Sequence, residues 1–335
     1  MQTAVDPYHV LVTGAEGFVA RGLLERHLRP LAAAGKIRLS TTDLQGHDRE
    51  EGTMRHRSAD IRELSTWDWL FTTPVHMVFH LAAVVSGQAE RDPSLSLQVN
   101  LQAALIGLER CRMQHARGGP KVRWLQASSI GVWGTGLPRR VDDAHPVRPA
   151  LSYGTHKRMI ELMLHDLSRR GEVDGRSLRL SGVVVRPKAH GTALSAFNSD
   201  LIREPLQGRT ITCPVRPDAC LWLCSRETSV DQLWALSQID ELAWRSAHDA
   251  HGTDSVVNAP TWAVRVETLL QAMAQLDARA ASRVHFDPAA PLQAAFGNWP
   301  LQADFGLART LGLPADTTRH HDDLARFIQA SMCTA

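Results

Sequence analysis

Tyrosine is the scarcest aromatic residue in this chain of 335: only Tyr8 and Tyr153 occur, against nine Trp and eight Phe. A mechanism that needs a phenol therefore has two places to look. Excess charge is also missing, since 37 Lys and Arg balance 35 Asp and Glu for a formal net charge of +2. That balance excludes a strongly basic nucleic-acid binder, and 44% hydrophobic residues exclude a disordered polyampholyte. Long apolar runs are absent. Stretches such as Gly182-Val183-Val184-Val185 close on charge or Pro well short of the roughly 18 residues of a membrane span. No basic segment followed by an apolar core opens the sequence, so a cytoplasmic protein without membrane or nucleic-acid partners is expected. The five cysteines, Cys111, Cys213, Cys220, Cys224 and Cys333, are odd in number and irregularly spaced, which predicts reduced thiols instead of disulfides. Nothing nearby completes a ligand set around Cys220 and Cys224, and His320-His321-Asp322-Asp323 reads as a helix start, so no metal is expected.

The apolar residues, by contrast, are ordered. Strand-like runs at 9–13, 37–43, 77–81, 122–128 and 178–186 alternate with helix-period segments at 18–28, 95–115 and 152–170. This pattern predicts βαβ units around a parallel sheet. After Pro187 it changes to strand-like 211–215 and 221–224, a helix around 230–239, a strand at 255–258 and then mostly helix. The expected architecture is α/β: a doubly wound parallel sheet built from 1–187 plus about 224–258. A smaller substrate-binding lobe is expected from about 188–223 plus 259–335.

The first strand runs into Thr13-Gly14-Ala15-Glu16-Gly17-Phe18-Val19-Ala20, and Leu23, Leu24 and Leu28 follow at helical spacing. This G-x-x-G-x-x-A pattern between strand and helix points to a dinucleotide. Gly14 permits the tight turn, Gly17 lets the backbone approach a pyrophosphate, and Ala20 allows close helix packing. The helix N-terminus adds free N–H groups and partial positive charge. Asp43 ends the second strand about twenty residues further on, the offset of an acid that binds the adenosine ribose diol and repels a 2′-phosphate, so NAD is expected over NADP. Asp60, with Ile61 beside it, either reaches the adenine edge or is a surface acid.

Tyr153 and Lys157 stand four apart at the start of a predicted helix and share one face. A free phenol titrates near 10, too high for a base at neutral pH, and a neighbouring ammonium lowers it. Ser128 and Ser129 end a strand on the side where an open α/β sheet presents ligands.

Together these features resemble the extended short-chain dehydrogenase/reductase family, which includes NAD-dependent sugar epimerases and dehydratases. The likeness covers nearly the whole chain through Thr13–Phe18, His80-Leu81-Ala82-Ala83, Asn100, 128–133, Tyr153-x-x-x-Lys157, Leu178-Arg179-Leu180 and Val185-Arg186-Pro187. It implies a Rossmann-type fold in which Tyr153 is the acid/base, Lys157 binds the nicotinamide ribose, and Ser129, four residues before the aromatic position held here by Trp133, binds the reacting oxygen. It also implies cofactor contacts from Gly14, Gly17, Phe18, Asp43, Asp60 and Ile61, and from Ala82, Ala83, Asn100, Tyr153, Lys157 and Ser181. The family usually has Tyr or Phe at position 133, so Trp133 is expected to narrow the pocket.

Further segments, Val85–Glu90, Arg203-Glu204-Pro205-Leu206, Cys213-Pro214-Val215 and Leu221-Trp222-Leu223, resemble the sugar-acid dehydrogenases of that family. They imply oxidation of the C2 hydroxyl of a small, D-erythronate-like sugar acid to the 2-oxo acid. The alternative is a nucleotide-sugar epimerase or dehydratase. Ser86, Ser129, Tyr153, Arg186 and Arg203 are the expected substrate residues, with Gly87, Lys188 and His190 as further possibilities for the carboxylate. Ser181-Gly182 replaces the family's Pro-Thr, and Lys188 replaces its Gly. The resemblance also implies a homodimer packed through 95–115 and 152–170.

Overall fold

A computed structural model describes residues 7–187, 194–316 and 321–333. Its first strand, β1 (Tyr8–Thr13), shows why the N-terminal run is apolar at successive positions. Val10 and Val12 pack into the core on one face of the sheet while Leu11 enters the core on the other. A strand covered on both sides cannot alternate apolar with polar residues. Around it lie β2 (Ile37–Asp43), β3 (Arg49–Glu51), β4 (Met54–Ser58), β5 (Met77–His80) and β6 (Arg123–Ser129). The chain continues through β7 (Arg140–Asp142), β8 (Asp174–Leu180), β9 (Gly182–Val184), β10 (Ile211–Cys213) and β11 (Cys220–Ser225). Last come β12 (Val256–Asn258), β13 (Trp262–Arg265), β14 (Val284–Phe286) and β15 (Gln302–Asp304).

The main sheet has the order β12-β8-β6-β5-β1-β2-β4-β3 and is parallel except for the β3–β4 hairpin. From β1 the chain builds outward to β2 and β4, then returns to add β5, β6 and β8 on the other side. A crevice therefore opens between these two directions at the carboxyl ends of β1, β2 and β5, where doubly wound sheets bind ligands. After the turn at residues 14–17, helical segments Phe18–Leu23, Leu24–Leu28 and Arg29–Ala33 follow one another without a break. Ser152–Arg169 carries the Tyr/Lys pair between β6 and β8.

The expected strand 178–186 is two strands in two sheets. β8 stays in the main sheet, whereas β9 pairs with β11 in a three-stranded sheet, β13-β11-β9. Ser181 is the crossing point, buried and accepting a 2.8 Å hydrogen bond from the Thr261 hydroxyl. The second lobe closes around Val184, Leu201, Leu223, Leu269, Met273 and Ile328. The expected tail of this lobe, 259–335, divides. β15 pairs with β7, and Phe305, Leu307, Ala308 and Leu313 join the core of the first lobe. Turn-rich sequence without helical or strand period concealed that return. Among the described residues, no helix is long and apolar enough to cross a membrane.

Candidate active site

Two adjoining cavities occupy the crevice. The outer one, about 380 Å³, is lined by Gly14, Gly17, Asp43, Asp60, Ile61, Ala82 and Ala83 among others. Gly14 has φ of +69°, and a Cβ there would lie 2.6 Å from Ala82 Cα, so only glycine serves. Gly17 stands at the helix start with no side chain capping the first turn, which leaves N–H groups for an anion. The Asp43 carboxylate accepts from Glu16 N and Gln45 N, each at 3.0 Å, and keeps further lone pairs toward the cavity. These features fit a dinucleotide. A glycine cradle with no room for a side chain, open helix N–H groups and an acid one strand away suit a pyrophosphate and a ribose diol. Asp60 is held by Arg62 at 2.6 Å, which keeps its carboxyl below the usual range, and its main-chain oxygen accepts from Thr66.

Asn100 is brought to neither cavity lining. Its amide bonds both main-chain groups of Val84 at 2.8 Å and the Ser96 hydroxyl at 3.0 Å, so it braces the loop after β5 from behind. His80, at the end of β5, is buried among Trp67 and Trp124 and bonded to Thr13 at 2.9 Å. Burial, with Lys157 adding to it, pushes its ring down to about 3.

The inner cavity, about 290 Å³, lies between the lobes and is lined by Phe18, Ala83, Ser86, Ser129, Tyr153, Lys157, Ser181 and Arg186. Strand alternation separates the two serines. Ser128 points into the interior and donates to Glu161 at 2.5 Å, whereas Ser129 accepts from Gly131 N at 3.0 Å and lines the same cavity as Tyr153, whose phenol it helps to acidify. Lys157 Nζ donates to the Ala127 carbonyl at 2.8 Å and lies 5.6 Å from the Tyr153 ring centre. Burial pushes Lys157 down to about 8, with Glu161 opposing. The Tyr153 phenol is raised by burial, while the Arg186 charge and the Ser129 hydrogen bond pull it back. The net direction is upward, so the phenol is held protonated, with a hydroxyl and two cations lining the same cavity.

Several residues that position this group were given no such role by the sequence. A Cβ on Gly154 would lie 2.2 Å from the Gly131 carbonyl, so this glycine lets the helix seat Tyr153 against Ser129. Glu90 caps the same helix by accepting from Ser152 N at 2.6 Å, and Ser96 pairs with His156 at 2.9 Å. From the second lobe, Asn198, Trp222, Phe296 and Trp299 wall the inner cavity. They come from separate stretches, of which only Leu221-Trp222-Leu223 had drawn notice in the sequence, and only folding assembles them.

Two expectations need correction. Trp133 does not narrow the cavity; it is 1% exposed and packed within the core, stacked on His145 and edge-on to Trp222. Arg203 does not reach the cavity either, because its guanidinium is engaged by Asp200, by Glu204 and by the main-chain carbonyl of Arg186. Ser86 and Gly87 open the Ser86–Arg91 helix, and the Ser86 hydroxyl accepts from Leu194 N at 3.3 Å. Lys188, His190 and His320 lie outside the described residues, as do the side chains of His321 and Asp322. Cys220 and Cys224 are buried in β11; burial pushes the Cys220 thiol up to about 12 and Cys224 well above its ordinary value.

Comparison with known proteins agrees with this geometry. D-erythronate dehydrogenase of Cupriavidus necator is 37% identical over 92% of this chain and 95% of its own length. The enzyme of the same name from Haemophilus influenzae is 31% identical over 96% and 99%. Among solved structures, a nucleoside-diphosphate-sugar epimerase from Agrobacterium tumefaciens superposes with a TM-score of 0.84 at 27% identity, covering 98% of this chain and 95% of that one. The fold is thus Rossmann-type. Residues 10–217 match the NAD dependent epimerase/dehydratase family, and with relatives similar over almost its full length, the chain belongs to that family.

Proposed function

We propose that the protein is an NAD-dependent dehydrogenase that oxidises the C2 hydroxyl of a small, D-erythronate-like sugar acid to the 2-oxo acid. The observation that carries this reading is the convergence of Ser129, Tyr153 and Lys157 in a cavity whose lining includes Arg186 but, among the described residues, no acidic side chain. Similarity to two D-erythronate dehydrogenases over nearly the whole chain supports it.

Bound NAD supplies the hydride acceptor, and Asp43 favours it over NADP by repelling a 2′-phosphate. Tyr153 takes the proton of the C2 hydroxyl. Ser129 donates to the oxygen as charge develops on it, and Lys157, fixed by the Ala127 carbonyl, holds the nicotinamide ribose and favours the Tyr153 phenolate. Ser86 is assigned to the substrate and Ser181 to the cofactor, and both line the same cavity.

The test is a panel of C4–C6 sugar acids offered with NAD or NADP and read by absorbance of the reduced cofactor. Steady NADH formation with a four-carbon acid is the expected result. No oxidation of any acid, with net conversion of a UDP-sugar and no accumulated NADH, overturns the proposal in favour of an epimerase, the reading that likeness to the Agrobacterium structure favours. The exposed side chains Leu97, Met159, Leu162 and Met163 lie on the two helices proposed for a homodimer contact, which sedimentation tests.

A further inference from the structure

The cavity lining holds two cations among the described residues, Lys157 and Arg186, and no carboxylate to neutralise either. Lys157 is already committed to the Ala127 carbonyl and the Tyr153 side. Arg186 is held differently. Its Nε donates to the Val183 carbonyl at 3.1 Å, and its two terminal nitrogens have no hydrogen-bond partner among the described residues. Its main chain is clamped at both ends: N donates to the Ser199 hydroxyl at 3.1 Å, and the carbonyl accepts from Arg203. Arg203 is 5% exposed and is itself fixed by Asp200 and Glu204.

We propose that Arg186 is the residue that binds the substrate carboxylate and that Arg203 is a positioning residue which presets Arg186 for that task. This rests on the sugar-acid reading and deepens it. A guanidinium with its Nε tied back offers its remaining edge as a two-toothed donor to a carboxylate, the strongest neutral-pH recognition available to that group. Fixing the arginine in advance removes the ordering cost that a free side chain would incur on binding. The placement also explains the position oxidised. Arg186 lies near enough to Tyr153 for each to act on the other's ionisation. Arg186 and Tyr153 line the same cavity, so on this proposal a carboxylate on Arg186 offers the hydroxyl of the adjacent carbon to Tyr153. Arg203, its charge spent on Asp200 and Glu204, acts through Arg186 alone.

The experiment measures calorimetric binding of D-erythronate and of its uncharged amide to the protein with NADH present, alongside turnover of the acid with NAD. Wild type is expected to prefer acid over amide about a hundredfold, and Arg186→Met to abolish that preference. Arg203→Met is expected to weaken the acid about tenfold and leave the amide unchanged. Arg203→Lys, able to bond the same carbonyl, should recover part of the loss. Should Arg203→Met fail to fold, Ser199→Ala removes the other clamp and should weaken the acid in the same selective way. An acid preference that survives in Arg186→Met overturns the assignment, as does failure of D-erythronate to bind wild type. An Arg203→Met or Ser199→Ala loss shared equally by acid and amide overturns the positioning role. Selective binding without turnover would leave Arg186 assigned and refute the dehydrogenase reading instead.

Discussion

The first lobe meets the outer cavity with main chain, whereas the second meets the inner one with side chains. Gly14, Gly17 and Ala83 expose backbone at the ends of β1 and β5, while Arg186, Asn198, Trp222 and Phe296 project from scattered stretches. Their interiors differ as well. Beneath the first lobe's site lies a charged network in which Glu161, 0% exposed, accepts from Ser128, Arg158 and two nitrogens of Arg179. The second lobe packs an apolar core, with Arg203 and Glu204 as its buried pair. One lobe thus sets its cavity residues on an ion-paired interior, and the other sets them on an apolar one. Under the proposed function, proton transfer falls to the lobe whose interior is ion-paired.

Breaking the catalytic side should give the largest effect. Tyr153→Phe is expected to lower kcat about a thousandfold while NAD affinity stays within about threefold, measured by turnover and by cofactor titration. Next is the scaffold. Glu161→Gln leaves the buried Arg179 guanidinium without its counter-charge and should cost about 3–5 kcal/mol of stability in urea unfolding. Leu269→Ala, a cavity in the second lobe's core, should cost about 2–5 kcal/mol yet leave NAD affinity unchanged in the folded protein. A parallel loss of cofactor binding in that variant would mean that the lobes do not divide the work as described.

Smaller effects sharpen the same contrast. Asp43→Ala should weaken NAD about tenfold and NADP less, as two competition titrations would show. Acid should loosen the first lobe through its buried neutral histidines. Burial, aided by Arg55, pushes His9 down to about 4, and burial, aided by Lys157, pushes His80 down to about 3. Unfolded, both titrate near 6.5, so the unfolded chain binds more protons below that pH. The stability from keeping them neutral is full above about 6.5 and is lost as pH falls toward about 4 at His9 and about 3 at His80. The urea midpoint should fall across that window, and unfolding there should take up protons.

Much of the first lobe was readable in one dimension because its requirements are local. β2 occupies residues 37–43 as the apolar run indicates, and the helix bearing Tyr153 and Lys157 begins at Ser152. The break at Ser181 was not readable, since Leu178 to Val185 is apolar enough to pass for one strand. Strand identity there depends on pairing partners, β6 and β12 for β8 but β11 for β9. Trp133 and Arg203 misled for a related reason. Residue type suggests chemistry, but which face of an element a side chain occupies depends on what packs against it.

What the sequence by itself determined is the chemistry that backbone spacing and short-range pairing dictate: the glycine turn, the acid at the end of β2, and one tyrosine with a lysine a helical turn later. Those constraints act over a few residues and leave their mark in order and composition. The tertiary structure alone decided that Arg186 and not Arg203 faces the cavity, that Trp133 packs in the core, and where residues 302–313 return to the first lobe. Each of these depends on contacts between segments far apart in the chain, and such contacts exist only once the two lobes have closed around the same cavity.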